Sequence, residues 1–228
     1  MGFFIYDLLE FEGEDIRNRP LSERRTLLES IAGAFKESDV ALLSPVISFT
    51  NWQELAEIRS ASRENNSEGI MLKKLDSFYH SGRKRGDWWK WKINPYTVDT
   101  VMIYAQKGSG RRANHFTDYT FAVRDGENLI TVAKAYSGLT DKEIKEVDAF
   151  VRKNAIEKFG PVRTVKPELV FEIAFEGIAE SKRHKAGLAL RFPRIARWRK
   201  DKTAAEINTL EDLRQLLAST IAMGTDLK

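Results

Sequence analysis

Apolar positions follow two different rhythms along the chain, and the change falls near Asn94–Pro95. Before it, helical and extended patterns mix. Residues 3–9 are apolar almost throughout, the pattern of a buried strand, and Gly13 and Asp15 mark a turn after it. Pro20 opens a helix in which Leu21, Leu28, Ile31 and Phe35 recur at helical spacing. Residues 40–48 are extended and interrupted by Pro45. Thr50 with Gln53 makes a capping-box pattern for a helix that carries Trp52, Leu55 and Ile58 on one face. A turn at Ser67–Gly69, a short strand over Ile70–Lys73, a charged loop over Ser81–Asp87 and a strand over Trp88–Ile93 complete this half.

After Pro95 the rhythm is that of strands. Val98–Ala105, Thr117–Val123, Ile130–Tyr136 and Leu169–Glu176 are strand-like, separated by turn clusters such as Lys107–Gly110 and Asp125–Gly126. One helix interrupts them. Thr140 with Glu143 caps it, Ile144, Val147 and Val151 line its apolar face, and Gly160–Pro161 stops it. Short strands with one helix inserted before a late strand predict a small Greek-key barrel of the OB type. A second capped helix is expected over Thr209–Ile221, with Leu213, Leu216 and Leu217 inward. The expected division is therefore 1–94, an OB domain over 95–205 and a helical tail over 206–228.

Composition narrows the chemistry. The chain has no cysteine, which excludes disulfides, thiolate zinc sites and cysteine nucleophiles and fits a reducing cytoplasm. His80, His115 and His184 lie far apart, without ligand spacing. MGFFIYDLL is apolar, but no basic stretch precedes it and acidic residues follow, so it makes a poor signal peptide. No run of about 18 apolar residues predicts a membrane span. The net charge of +4 is small, yet lysine and arginine crowd residues 83–92 and 182–202. Clustered cations interleaved with tryptophan point to a polyanionic partner, nucleotide phosphate or nucleic acid.

Three segments carry candidate chemistry. In Trp88-Trp-Lys-Trp-Lys-Ile93, strand alternation puts Lys90 and Lys92 on one face, roughly 7 Å apart, and Trp89, Trp91 and Ile93 on the other. The two ammonium groups can bracket a phosphate; the alternative is a surface strand whose lysines face water. Glu68, before a glycine and a short strand, can hold a hard cation such as magnesium; it equally suits an ordinary turn. Between Arg191 and Lys202 seven of twelve residues are charged, six of them basic. Phe192, Ile195 and Trp198 recur every third residue, so the segment is expected to dock and display its cations in one direction. A solvated basic tail is the alternative.

In their order and spacing these segments resemble the motifs of the covalent nucleotidyltransferases. EGIMLK resembles motif IV, WWKWK motif V, and RFPRIARWRKDK motif VI of ATP-dependent DNA ligases, while FFIYDLLEFEGEDIRNRPLSERRTLLE resembles motif IIIa and the helix after it. The nearest resemblance is to the bacterial ligases, and it covers nearly the whole chain. It implies an α+β end of an adenylation domain followed by an all-β OB barrel with one inserted helix. It also implies nick sealing with ATP and Mg2+, through lysyl-AMP and then DNA-adenylate. Tyr6 would stack on adenine, Glu68 would help hold magnesium, and Lys90 and Lys92 would contact the AMP phosphate. Arg199, Asp201 and Lys202 would orient the leaving pyrophosphate, with Arg197 and Arg194 as further candidates. Nicked duplex DNA would be the partner. The loops Arg83-Lys84-Arg85 and Lys182-Arg183-His184-Lys185 would touch its backbone, unless they are ordinary surface charge.

One family element is not found: no lysine is followed by x-Asp-Gly, the nucleophile signature, and no acidic motif III precedes Phe3. The expectation is a chain that begins partway through an adenylation domain, lacks autonomous activity, needs the nucleophile-bearing segment as partner, and self-associates through an open sheet edge. Two rivals remain: a non-catalytic OB module that binds nucleic acid without ATP or magnesium, and a capping-type nucleotidyltransferase, which would prefer GTP.

Overall fold

The computed structural model describes residues 3–35, 40–65, 67–110 and 113–225. The chain divides into two compact units, residues 1–93 and 94–228.

The first unit is built from short pieces. Strand β1 (Phe3–Ile5) pairs parallel with β4 (Ala41–Leu43), and β2 (Glu10–Phe11) forms a small hairpin with β3 (Glu14–Asp15). Helix α1 (Leu21–Ile31) starts at Pro20, whose missing N–H costs nothing at that position. Helix α2 (Trp52–Ser60) is capped by Asn51, whose side chain accepts from the N–H groups of Gln53 and Glu54. The cap expected at Thr50 is thus one residue off: Thr50 instead donates its N–H and hydroxyl to Glu54. Strand β5 (Gly69–Lys73) pairs antiparallel with β6 (Trp88–Lys92).

Buried apolar side chains are few among the described residues here: Ile16, Leu21, Leu28 and Leu55. A charged residue is buried beside them. Arg24 of α1 is 0% exposed and pairs with Asp7 at 2.9 Å, while its other nitrogen donates to the carbonyls of Arg19 and Ser77. The pair ties the segment after β1 to the helix. Strand β1, read above as buried, is not: Phe3 and Phe4 are 68% and 63% exposed. A two-stranded parallel sheet has no second layer to cover both faces.

The second unit is a curled antiparallel sheet with a continuous core. Strand β7 (Tyr96–Lys107) is its spine. One edge of β7 pairs along β8 (Phe116–Asp125), which pairs in turn with β9 (Asn128–Ala135). Its other edge is shared, with Thr164 of β11 opposite Tyr104 and residues 170–175 of β12 opposite 96–101. Helix α3 (Asp141–Asn154) carries the expected capping box of Thr140 and Glu143 and buries Ile144, Val147 and Val151.

The helix ends at Asn154 rather than at Gly160–Pro161. Those two residues turn a hairpin between β10 (Ala155–Phe159) and β11 (Val162–Val165). All five residues of β10 are exposed, so it lacks the alternation that marks a strand in sequence.

Strand β12 (Val170–Phe175) is followed by the hairpin β13 (Gly177–Glu180) and β14 (Leu188–Arg191), and by β15 (Arg194–Trp198), which pairs with β12. Curling brings β15 to the segment after β9, where Ile195 N–H donates to Ser137 O at 3.0 Å. Gly138 has φ +114°, and a Cβ there would strike the carbonyl of Ile195, so the approach needs glycine. Helix α4 (Leu210–Thr225) starts with Thr209 and Asp212 exchanging hydrogen bonds and sets Leu210 and Leu213 into the core. That core holds Phe121, Phe171, Phe175, Met102, Val147, Leu188 and Ile195. No helix among the described residues is long and apolar enough to cross a membrane.

Candidate functional site

In the first unit the chemistry gathers on the β5–β6 hairpin. The register sets Gly69 opposite Lys92, Met71 opposite Lys90 and Lys73 opposite Trp88, so these six share one face. Gly69 (φ +137°) lies so close to β6 that a Cβ would fall 2.7 Å from Lys92 Cα. This contact brings Glu68 to the end of β6. Its carboxylate accepts from Lys92 Nζ at 2.8 Å, and its carbonyl accepts from Ile93 N–H at 3.1 Å. Lys90 is exposed and has no ion pair among the described residues.

Trp88 lies on the same face and joins it to Tyr6. The two rings meet edge to face at 6.3 Å, and Tyr79 contacts Trp88 at 5.7 Å. Lys73 Nζ sits 4.3 Å from the Tyr6 ring centroid and 4.3 Å from that of Trp88. Burial holds its pKa below the usual lysine value, while the nearby Asp7 works the other way. Lys73 was not singled out in sequence, where it ends an unremarkable strand; its pairing with Trp88 exists only in the hairpin. Tyr6 keeps an open face, being 48% exposed.

The opposite face of β6 is unevenly covered. Trp91 is half-buried, covered by Arg59 at 4.8 Å and by Trp52 at 6.3 Å, but Trp89 is 50% exposed. Arg83, Lys84 and Arg85 lie exposed in the loop between β5 and β6.

In the second unit a compact charge cluster forms at the N-terminal end of β7. Glu172 of β12 lies opposite both Asp99 of β7 and Arg197 of β15. Arg197 donates to Glu172 at 2.8 Å. Arg199, just past β15, donates from Nη1 to Asp99 at 3.0 Å and from both Nε and Nη2 to Asp201, the latter at 2.7 Å. Lys202 Nζ reaches Asp99 at 2.6 Å. The Asp201 carboxyl is pulled down to about 2 by hydrogen bonds from Arg199, and the same bond raises the Arg199 guanidinium above its ordinary value. Nearby, Arg194 pairs with Glu176 at 3.0 Å and Lys200 with Glu146 at 2.6 Å.

The basic segment is therefore docked, through Ile195 and through Trp198 stacked on Phe171 at 5.5 Å. Two expectations fail. Phe192 is 65% exposed, because it occupies the turn before Pro193 with φ +52°. The cations are not displayed as free charge, because Arg194, Arg197, Arg199, Lys200 and Lys202 each pair with a carboxylate of β7, of β12 or the residue after it, of α3 or of the segment itself. Asp99 and Glu172 escaped sequence reading because each is a single acid in an apolar strand, and each meets its partner only across the sheet. Lys182, Arg183 and Lys185 lie exposed in the turn between β13 and β14. No group of three acidic or histidine side chains suited to a metal is found among the described residues.

Residues 1–92 match the family model described as ATP dependent DNA ligase domain, and residues 112–202 match ATP dependent DNA ligase C terminal region. The chain belongs to the ATP-dependent DNA ligase family. It is 38% identical over 99% of its length to a probable DNA ligase of Koribacter versatilis, covering 42% of that protein. It is 35% identical over 92% of its length to a DNA ligase of Methanoculleus marisnigri, covering 37% of it. The chain thus spans less than half the length of these curated relatives. Among solved structures it resembles a Lig E DNA ligase, with a TM-score of 0.59, 16% identity, and coverage of 87% of this chain and 63% of that one. That likeness concerns the fold.

Proposed function

We propose that the chain supplies the Glu68, Lys90 and Lys92 part and the Arg199–Lys202 part of a ligase that seals nicks in duplex DNA with ATP. The single observation that carries this is the β5–β6 hairpin. It sets Lys90, without an ion pair among the described residues, beside a Glu68–Lys92 ion pair on one face, where Trp88 meets the open ring of Tyr6. Nick sealing consists of in-line displacements at phosphorus, where positioning and charge neutralisation supply most of the rate.

In this reading Tyr6 stacks on adenine, held by Trp88 and Lys73. Lys90 and Lys92 meet the phosphate that is attacked. Arg199, Asp201 and Lys202 orient the leaving pyrophosphate, with Arg197 beside them. Exposed Arg83–Arg85 and Lys182–Lys185 meet the DNA backbone. The second unit acts as an OB barrel, a reading supported by its curled sheet and single inserted helix.

A lone carboxylate suits magnesium, which keeps several waters and takes remaining ligands from phosphate oxygens. Glu68 fits that role, with Lys92 as the group it holds when no cation is near. The lysine nucleophile is proposed to come from residues outside these 228, since Lys-x-Asp-Gly does not occur among them. The apolar rings that the first unit exposes suit contact with such a segment.

The test is incubation of the purified chain with α-labelled ATP and magnesium, followed by nicked-duplex binding. No covalent label with DNA binding retained is expected. Stable label would show that a lysine of this chain is the nucleophile. DNA binding indifferent to ATP and magnesium even with the partner segment present would favour a non-catalytic binding module.

A further inference from the structure

Every cation of the Arg199–Lys202 cluster is matched by a carboxylate, with Arg197, Arg199 and Lys202 standing against Asp99, Glu172 and Asp201. Such a cluster has little net attraction for an anion at a distance. A ligand gains a place only by taking over contacts the carboxylates already make.

The carboxylates differ in how firmly they are held. Asp201 is 66% exposed and lies in the segment it serves. Asp99 is 10% exposed, lies within β7 beside β12, and is clamped from outside by Asn208, whose side chain accepts its N–H at 2.9 Å and whose N–H donates to its carbonyl at 3.0 Å. Asp99 stays in place, so the cations must leave it. Arg199 has both Asp99 oxygens on Nη1 and both Asp201 oxygens on Nε, which leaves few donors idle.

We propose that Asp99 is a specificity-determining residue: it reserves Arg199 and Lys202 for a polyphosphate and withholds them from single-charge phosphodiesters. This rests on the polyphosphate reading of the cluster given above. A phosphodiester carries one negative charge and replaces one carboxylate like for like, with no gain. The pyrophosphate end of a nucleoside triphosphate carries more charge on adjacent phosphates and outcompetes a single fixed carboxylate. The same unit leaves Lys182, Arg183 and Lys185 exposed, where phosphodiesters can bind. One small unit thereby sorts two polyanions, by neutralising one set of cations internally and leaving the other open.

The test uses the 228-residue chain and NMR of the Arg199 Nε–H and Lys202 Nζ signals. The probes are inorganic tripolyphosphate and a dinucleoside monophosphate, which carries one phosphodiester. In wild type, tripolyphosphate shifts both signals far more readily. In Asp99→Asn the ratio of the two dissociation constants falls about tenfold, about 1.4 kcal/mol, while Asp99→Glu retains it. Should Asp99→Asn not fold, the Asp99 carboxyl carbon in wild type must still shift at saturating tripolyphosphate, as its ion pairs break.

An unchanged ratio in Asp99→Asn, or an unmoved Asp99 carboxyl, overturns the inference while leaving the polyphosphate site intact. If tripolyphosphate moves neither Arg199 nor Lys202 in any variant, the polyphosphate reading itself fails and the inference goes with it.

Discussion

The two units reach order by different means. The second buries a large apolar cluster, with Phe121, Phe171, Phe175 and Ile195 at or near zero exposure, and a smaller one of Val101, Ala122, Val170 and Ile207. The first has, among the described residues, four buried aliphatic side chains, a buried Arg24–Asp7 pair, and aromatic rings meeting edge to face. In the second unit side chains are placed by packing, and the charged cluster rides on a rigid sheet. In the first they are placed by ion pairs and ring contacts, so one lost charge there should act like a lost core residue in the second.

That equivalence can be broken at two points of similar, large size. Arg24→Met strands the Asp7 carboxylate under α1, and breaking a buried pair from one side costs about 3–5 kcal/mol. Four of the five tryptophans, Trp52, Trp88, Trp89 and Trp91, lie in the first unit. Their fluorescence should shift at lower urea, while far-UV dichroism of the second unit's strands holds. Phe171→Ala removes a ring packed between Phe121 and Trp198, each at 5.5 Å, and should cost about 3–5 kcal/mol with the reverse pattern. Loss of both units together in either variant would show that they do not order independently.

A smaller effect sharpens the contrast without unfolding either unit. Asp201 titrates at about 2, below its ordinary 3.8, because Arg199 donates to it. A depressed carboxylate pKa means that the stabilisation is full above the unfolded value. It is then lost as pH falls through the folded one. The Arg199–Asp201 contact should therefore persist at pH 3 and disappear near pH 2. Carboxyl-carbon NMR should give that midpoint, and Arg199→Ala should return it towards 3.8.

How far these features are legible in the sequence depends on the distance over which each is determined. Helix α3 is readable because Thr140 and Glu143 fix its start and Ile144, Val147 and Val151 its face, all within one element. Strand β10 is not, since a segment exposed at every position carries no buried face, and Gly160–Pro161 serves a helix stop and a hairpin turn equally well. Phe192, Ile195 and Trp198 keep a period of three in sequence, but the turn at Pro193 places Phe192 outside the strand that buries Ile195. Glu68, Lys90 and Lys92 are readable as a set because they occupy one hairpin. Asp99 is not, because its cations arrive a hundred residues later.

The twelve-residue spine β7 has one more consequence, for the order of events as the chain is made. It and its partners β8 and β9 leave the ribosome as a meander that can form at once, since each pairing joins neighbours in sequence. Its other edge waits for residues 162–175, and β15 in turn pairs with β12. Contacts so far apart form slowly, because a long loop must close before they reward it. The nascent second unit thus passes through a stage with one edge of its spine bare, which makes β7 the place where a chaperone or a neighbouring nascent chain would intervene.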